Sequence, residues 1–281
     1  MTVINTNASS LIAQSALTQN SKSLQRAMEQ LSTGKRINSA ADDAAGLAIV
    51  SRLTGQIRSL NQAVRNANDG ISMVQTFEGA TNAITNMLQR MRELAVQSAN
   101  ETYGSGDRSN LEIESKQLIA QIGLIAANTK WNNMAILNGG VTSLRFQLGP
   151  TPDDEVTFGA SVYLGAASET GLGSGLVSTA DINLTTADSA SDSLAKIDSA
   201  INTISAARAG MGAMINRLTY AADNMSNNST HMSESRSRIE DTNYGEATAE
   251  LAKRQVIQQA ATAMLAQANQ APNTVLQLLK Q

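Results

Sequence analysis

Apolar side chains in the first half of the chain recur at alternating intervals of three and four residues. This spacing places them along one side of an α-helix, as in the seam of a coiled coil. The seam positions in this arm are Val50, Leu53, Ile57, Leu60, Val64, Ile71 and Val74. The pattern predicts a long helix with one face buried against another helix.

A second arm, from about residue 193 onwards, follows a single heptad frame. Its seam positions are Leu194, Ile197, Ile201, Ile204, Met211, Ile215 and Leu218. A helix of this length needs a partner along its whole apolar face, and the first arm offers one. The expected fold is therefore mainly α, with long antiparallel coiled-coil helices formed by the N- and C-terminal arms.

The two ends of the chain carry a further pair of apolar stripes. We assign a role in polymerisation to Ile4, Leu11, Leu17, Leu24, Leu31, Leu251, Ile257, Leu265, Leu276 and Leu279. The few large apolar side chains in the first 33 residues offset only part of the backbone entropy lost on ordering that segment. The terminal helices are expected to be marginal alone and to order when they pack against copies of the chain.

The middle of the chain has a different pattern. Segments 144–148 and 155–158 alternate apolar and polar residues around a turn that contains two prolines, which predicts a β-hairpin. The Gly-, Ser- and Thr-rich stretch 165–192 predicts a surface loop. A small β-hairpin element thus interrupts the helical arms.

These patterns predict three parts. Residues 1–40 and 240–281 form a terminal paired-helix polymerisation domain. Residues 41–139 and 193–239 form a helical rod domain. Residues 140–192 form a small β and loop region.

Composition excludes several classes of function. The chain has no cysteine and one histidine, so a Cys/His zinc site is excluded, and no cofactor or metal is expected. The net charge of −3 gives no basic field for nucleic acid, and no apolar run is long enough for a membrane span. Because the N-terminus also lacks the features of a cleaved signal, composition taken alone suggests a cytoplasmic protein.

Several long motifs in both arms resemble those of bacterial flagellins. They are VINTN at 3–7, LSTGKRINSAADDAAG at 31–46, QRMRELAVQSAN at 89–100, SRIED at 237–241, QQA at 258–260 and LAQANQ at 265–270. The chain departs from the usual flagellin motifs at two positions, and both differences are local. Flagellins usually have Phe-Asn-Gly where this chain has Trp131-Asn132-Asn133, and often an acid where Asn243 stands.

The resemblance implies a short flagellin with a reduced middle region. Such a chain would be secreted and self-assemble into the extracellular bacterial flagellar filament, which serves motility. It would be exported unfolded by the flagellar type III apparatus, without a cleaved signal. The implied partners are copies of itself, an export chaperone, the cap protein, the hook–filament junction protein and the animal Toll-like flagellin receptor.

For receptor binding, the resemblance points to Gln89, Arg90, Leu94 and Glu114. We expect these four residues to form a patch that is exposed on the monomer and covered in the filament. The alternative is structural, with Arg90 and Glu114 forming an ion pair and Leu94 lying in the apolar seam.

Three other functions compete with a filament subunit. An enzyme is disfavoured, because the paired acids at 42–43 and 153–155 suit a helix start and a solvated turn. A junction protein between hook and filament would share the terminal pairing, but the motif at 89–100 favours a flagellin. A cytoplasmic coiled-coil scaffold would differ in not being found as filaments outside the cell.

Overall fold

The computed structural model describes residues 6–137, 143–158 and 182–278, and side chains as far as residue 270 except that of Phe158. The helices in this part of the chain are α1 (Ala8–Thr33), α2 (Ala44–Ala99), α3 (Ser105–Asn128), α4 (Ala187–Glu240) and α5 (Tyr244–Leu278). The strands are β1 (Lys130–Trp131), β2 (Met134–Ala135), β3 (Leu144–Gln147) and β4 (Glu155–Phe158). The expected mainly α fold with a small β element is confirmed.

The chain folds into two compact units. The first unit contains Met1–Ile57 and Thr230–Gln281, and the second contains Arg58–Ser229. The division into a terminal domain, a rod domain and a middle region remains a prediction.

In the second unit, α2 and α4 run antiparallel. The polar contacts between them include Asn61 with Ser229 at 2.9 Å, Glu78 with Arg208 at 3.8 Å, and Arg92 with Asp198 at 2.6 Å. Residue numbers on α4 fall as those on α2 rise, which fixes the relative direction of the two helices. Between them lies an apolar core whose fully buried side chains include Phe77, Ile84, Leu88, Met91, Leu94, Ile197, Ile204 and Met211.

The predicted seam residues divide into two groups by burial. Eight are buried: Val50, Ile57, Leu60, Val74, Ile197, Ile204, Met211 and Leu218. Six are partly exposed: Leu53, Val64, Ile71, Leu194, Ile201 and Ile215. Intermediate burial is expected of residues at the edges of an apolar stripe.

The predicted β-hairpin is confirmed, because β3 and β4 pair antiparallel with Leu144 opposite Phe158 and Gln147 opposite Glu155. A second, two-residue hairpin joins β1 to β2, and it was not foreseen. Its turn residues, Asn132 and Asn133, have φ angles of 45° and 66°. Two positive φ values in succession are typical of the type I′ turn, which asparagine tolerates better than most residues.

The start of α2 is built around Asp43 and Gly46. The Asp43 carboxylate accepts a hydrogen bond from the Gly46 N–H at 2.8 Å, and its carbonyl accepts from Leu47 at 3.0 Å. A Cβ added to Gly46 would lie 2.5 Å from an Asp43 carboxylate oxygen and 2.7 Å from the Ile37 side chain. Ile37 is itself buried, and the Asp43 carboxylate is hydrogen-bonded to Gly46. Moving either side chain to make room would therefore cost packing or a hydrogen bond.

We expect Gly46→Ala to lower the free energy of unfolding by about 1–3 kcal/mol, because overpacking exceeds the gain in helix propensity. Gly79→Ala in the same helix is the matched control. Nothing lies within 4 Å of a Cβ added there, so it should raise stability by about 1 kcal/mol. Chemical denaturation of both variants measures the difference, and equal effects would contradict the steric reason given for Gly46.

Candidate assembly surface

In the first unit, α1 pairs antiparallel with α5. The Asn7 amide donates to the Ala268 carbonyl at 2.7 Å, and the Ser10 hydroxyl lies 2.8 Å from the Asn269 side chain. Thirteen residues beyond Asn7, Asn20 contacts the Arg254 carbonyl at 2.9 Å. The contacts proceed up one helix as they proceed down the other, so the two ends of the chain form one helical pair.

The segments that follow α1 and α4 are also paired. Gly34 ends α1 with a φ of 71°, and its N–H donates to the Gln30 carbonyl. Lys35 and Asp241 then form an isolated antiparallel bridge, and the Lys35 ammonium lies 2.5 Å from the Glu240 carboxylate. This pairing holds the C-terminal end of α1 beside the N-terminal start of α5.

Two carboxylates of this unit have lowered pKa values. Hydrogen bonds from the backbone N–H and the hydroxyl of Ser39, both at 3.0 Å, lower the pKa of Asp42. A hydrogen bond from the Arg254 guanidinium lowers the pKa of Glu250. A lowered pKa in the folded state means that both carboxylates stabilise the unit at neutral pH. This contribution is lost as the pH falls through those lowered values.

The terminal helix pair of α1 and α5 buries few side chains. Asn20 and Ala27 are the buried residues of α1, and Ala247 is the buried residue of α5 as far as residue 270. Of the predicted polymerisation residues, Leu17, Leu24, Leu31, Leu251 and Leu265 are half-buried, whereas Leu11 and Ile257 are exposed. Ile4, Leu279 and the side chain of Leu276 lie outside the described residues. This pair therefore has no fully buried large apolar side chain in its described part.

In the described part of α1 and α5, six large apolar side chains are exposed to solvent besides the amphipathic Tyr244. We call them the terminal apolar set: Leu11, Ile12, Met28, Val256, Ile257 and Met264. Within α1 we take the direction of Asn20, whose amide contacts α5, as the inner face. At about 100° per residue, Ile12 and Met28 lie roughly 80° to either side of that face, and Leu11 lies about opposite to it.

Apolar side chains on several faces are typical of a helix that is surrounded by other helices. The internal partner α5 covers only one face of α1. A subunit inside a helical lattice has neighbours on several sides, and a contact that does not close into a ring produces an open filament. The terminal apolar set is therefore the candidate assembly surface.

The predicted receptor residues lie in the second unit. Arg90 donates to the Glu114 carboxylate at 2.9 Å and to Glu93 at 3.0 Å, which links α2 to α3. These hydrogen bonds, that to Glu114 above all, raise the pKa of Arg90. The side chains of Arg90 and Glu114 are about half exposed, and Gln89 is exposed.

The expected exposure of Leu94 is wrong. Its side chain is 1% exposed and belongs to the core of the unit. It shares a buried face with Met91 and Ala95, whereas Arg90 lies at the edge of that face and is exposed. The structure thus brings Gln89, Arg90 and Glu114 to the surface and leaves Leu94 in the seam.

A shallow groove next to these residues was not foreseen. It is lined by Gln89, Arg92, Glu93, Val96, Gln97, Asp198 and Ile201. Val96 is 51% exposed in it, and a hydrogen bond to Asp198 raises the pKa of Arg92. A sequence signal existed for Val96, which lies two positions beyond a seam residue, but an exposed valine alone indicates no function.

Neither a metal site nor a membrane span is found in the part of the chain that the structure describes. No three His, Asp or Glu side chains there are grouped as metal ligands. None of the described helices is both long and apolar enough to cross a bilayer.

Known proteins match nearly the whole chain. The family model of the bacterial flagellin N-terminal helical region matches residues 4–142, and that of the C-terminal helical region matches residues 194–279. The chain is 40% identical to a flagellin of Halalkalibacterium halodurans, over 99% of this chain and 100% of that protein. It is 37% identical to the flagellar filament 33 kDa core protein of Treponema phagedenis, again over 99% of this chain and 100% of the relative. The crystal structure of Bacillus cereus flagellin aligns with a TM-score of 0.48 at 30% identity, over 57% of this chain and 88% of that one.

Proposed function

Because this chain belongs to the bacterial flagellin family, we propose that the terminal apolar set is the surface through which its copies assemble into a filament. A flagellin is a structural subunit of the flagellar filament and not an enzyme. The filament that its homologues form is extracellular. The match to flagellins over almost the full length favours a filament subunit over a junction protein.

The contrast in burial between the two units carries this proposal. The second unit has a closed core, in which Ile84, Leu88 and Met91 are fully buried. In the first unit, large apolar side chains such as Ile12 and Met264 are 70% and 65% exposed. Exposed apolar side chains on several faces of a helix pair that has no fully buried large apolar side chain in its described part favour an interaction surface there. Copies of the same chain are the partner that fits a filament subunit.

Hydrogen exchange on monomer and filament tests this proposal. We expect amides of 8–31 and 251–270 to exchange at least about tenfold more slowly in the filament, because assembly supplies the missing burial. Amides of 77–94 should be protected in both states and serve as the internal reference. A gain in protection that is equal along the chain would contradict an assembly surface in the terminal pair.

We also propose, from the family alone, that the chain leaves the cell unfolded through the flagellar type III apparatus. An export chaperone, the cap protein and the junction protein are its proposed partners on that route. The absence of cysteine suits a chain that passes through a channel without disulfides. Loss of the protein from the medium of a strain without the apparatus would support this route, and its continued secretion would exclude it.

Receptor recognition is a further proposal for the exposed residues Gln89, Arg90 and Glu114. Two carboxylates hold the Arg90 guanidinium in a fixed orientation, and arginine is frequent among the residues that dominate binding energy. We propose that these three side chains contact the animal Toll-like flagellin receptor. Leu94 contributes by supporting the helix from inside.

Arg90→Ala should weaken activation of the receptor by monomer roughly thirtyfold, since truncating such a residue costs at least about 2 kcal/mol of binding. Its melting temperature should change little, because an exposed ion pair contributes about 0.2–1 kcal/mol. Arg65→Ala, at another exposed arginine of α2 that is hydrogen-bonded to Gln62, is the control and should signal normally. Equal signalling by both variants would remove Arg90 from the receptor site.

A further inference from the structure

Asn20 occupies a seam position of α1 where an apolar residue is expected. Leu17, Asn20, Leu24, Ala27 and Leu31 follow the three–four spacing of a coiled-coil seam. Asn20 is 4% exposed, so its amide is removed from solvent. Such a polar side chain in a seam costs stability and is used in coiled coils to select one alignment.

The partners of Asn20 lie across the helix pair. Its amide nitrogen donates to the Gln258 side-chain oxygen at 3.0 Å and to the Arg254 carbonyl at 2.9 Å. Gln258 also contacts the Ser21 hydroxyl. Asn20 Oδ1 is buried without a hydrogen-bond partner among the described residues, so the site is not built for stability alone.

Both polar residues interrupt apolar columns that repeat every seven residues. On α1 the column is Ala13, Asn20 and Ala27, and on α5 it is Leu251, Gln258 and Leu265. If α5 slipped by one heptad in either direction, a leucine would replace Gln258 opposite Asn20. The apolar contacts of a heptad repeat tolerate such a slip. The amide pair forms in one alignment, as do the Lys35–Asp241 bridge and the Asn7–Ala268 hydrogen bond at the two ends of the helix pair.

We propose that the hydrogen bond between Asn20 and Gln258 sets the register of α1 against α5. A slip by one heptad leaves the same side chains facing outward on each helix, but it moves those of α5 by roughly 10 Å along α1. Through the register, the pair fixes the alignment of the terminal apolar set that a neighbouring subunit meets. Only this last step rests on the proposed assembly function.

The absence of cysteine in the chain allows a direct test of register. Ser10→Cys with Asn269→Cys reports the native register, because these side chains are 2.8 Å apart. Ser10→Cys with Thr262→Cys reports a slip of one heptad. A short bifunctional thiol reagent joins each pair within one chain, and the ratio of the two yields measures the register.

Moving only one of the amides should shift the register. In Asn20→Ala with Ala13→Asn, the new asparagine can reach Gln258 only if α5 slips by a heptad. We expect the native reporter to exceed the slipped reporter about tenfold in the parent chain, and this ratio to invert in the variant. Adding Gln258→Leu and Leu265→Gln moves both amides together and should restore the native ratio.

A ratio that stays native after the single relocation would overturn the proposal. If circular dichroism shows that this variant loses its terminal helices, Asn20→Ala with Gln258→Leu decides instead. Loss of the native preference there, with recovery in the double relocation, supports the proposal, and an unchanged preference overturns it.

The cross-link forms within one chain, so the ratio can be measured on dilute monomer as well as on filaments. If a chain keeps the native cross-linking ratio but fails to polymerise, the result counts against the proposed assembly surface. It does not affect the proposal that Asn20 and Gln258 set the register. A slipped variant should also fail to extend filament seeds of the parent chain. Normal extension by a slipped chain would remove the link between register and assembly.

Discussion

Replacing Leu11 and Ile12 with serine is expected to raise the critical concentration for polymerisation roughly 30- to 700-fold. The two side chains are 58% and 70% exposed on the subunit. Burying a leucine or isoleucine fully contributes about 1.5–3 kcal/mol, so covering the exposed part of both contributes roughly 2–4 kcal/mol per subunit. Each 1.4 kcal/mol changes an association constant about tenfold.

The fold of the single subunit should survive this change, because exposed side chains contribute little to its stability. Gln14→Ser with Gln25→Ser is the matched control, since both glutamines are exposed on α1 and glutamine resembles leucine in helix propensity. Seeded polymerisation followed by sedimentation gives the critical concentration of each variant. A double Leu11, Ile12 variant that polymerises like this control would show that these side chains are not covered in the filament.

The long helices could be predicted because their burial repeats with the period of the helix. Val74 lies in an unbroken three–four pattern and Leu218 in one that Arg208 interrupts, and both are fully buried. The β3–β4 hairpin was equally clear, because apolar alternation flanked a turn rich in proline and aspartate. In these elements the local pattern and the tertiary packing agree.

Other features depend on information that a periodic pattern does not carry. The β1–β2 hairpin has two residues in each strand, which is too few to show an alternation of apolar and polar residues. The Asn132-Asn133 pair is the sequence feature that indicates its turn. Asn20 interrupts an apolar seam, and the sequence alone does not show that its amide contacts Gln258 across the helix pair. A polar seam residue needs its partner to be interpreted.

Leu94 shows why residue roles are harder to predict than elements. Arg90 and Leu94 are four residues apart, and this spacing alone placed them on one helix face. In the structure Arg90 lies at the edge of that face, where its long side chain reaches Glu114 and solvent, while Leu94 turns inward. A difference of a few tens of degrees around a helix decides between surface and core.

Leu94→Ala is therefore expected to lower the free energy of unfolding by about 2–5 kcal/mol. Removing a buried leucine loses its transfer free energy and leaves a cavity among close-packed neighbours. For a domain of about 150–250 residues this corresponds to a melting temperature roughly 4–20 °C lower. Val96→Ala, at a side chain that is 51% exposed two residues away, should change stability by less than about 0.5 kcal/mol.

The same pair of variants separates packing from receptor contact. At a temperature where both are folded, Leu94→Ala should activate the receptor like the parent chain, because its side chain is not on the surface. Near its lowered melting temperature, its signal should fall in proportion to the folded fraction measured by circular dichroism. If Leu94→Ala instead melts normally and signals weakly, the leucine must be exposed when the receptor binds, and the helix would have to rotate or open at that step.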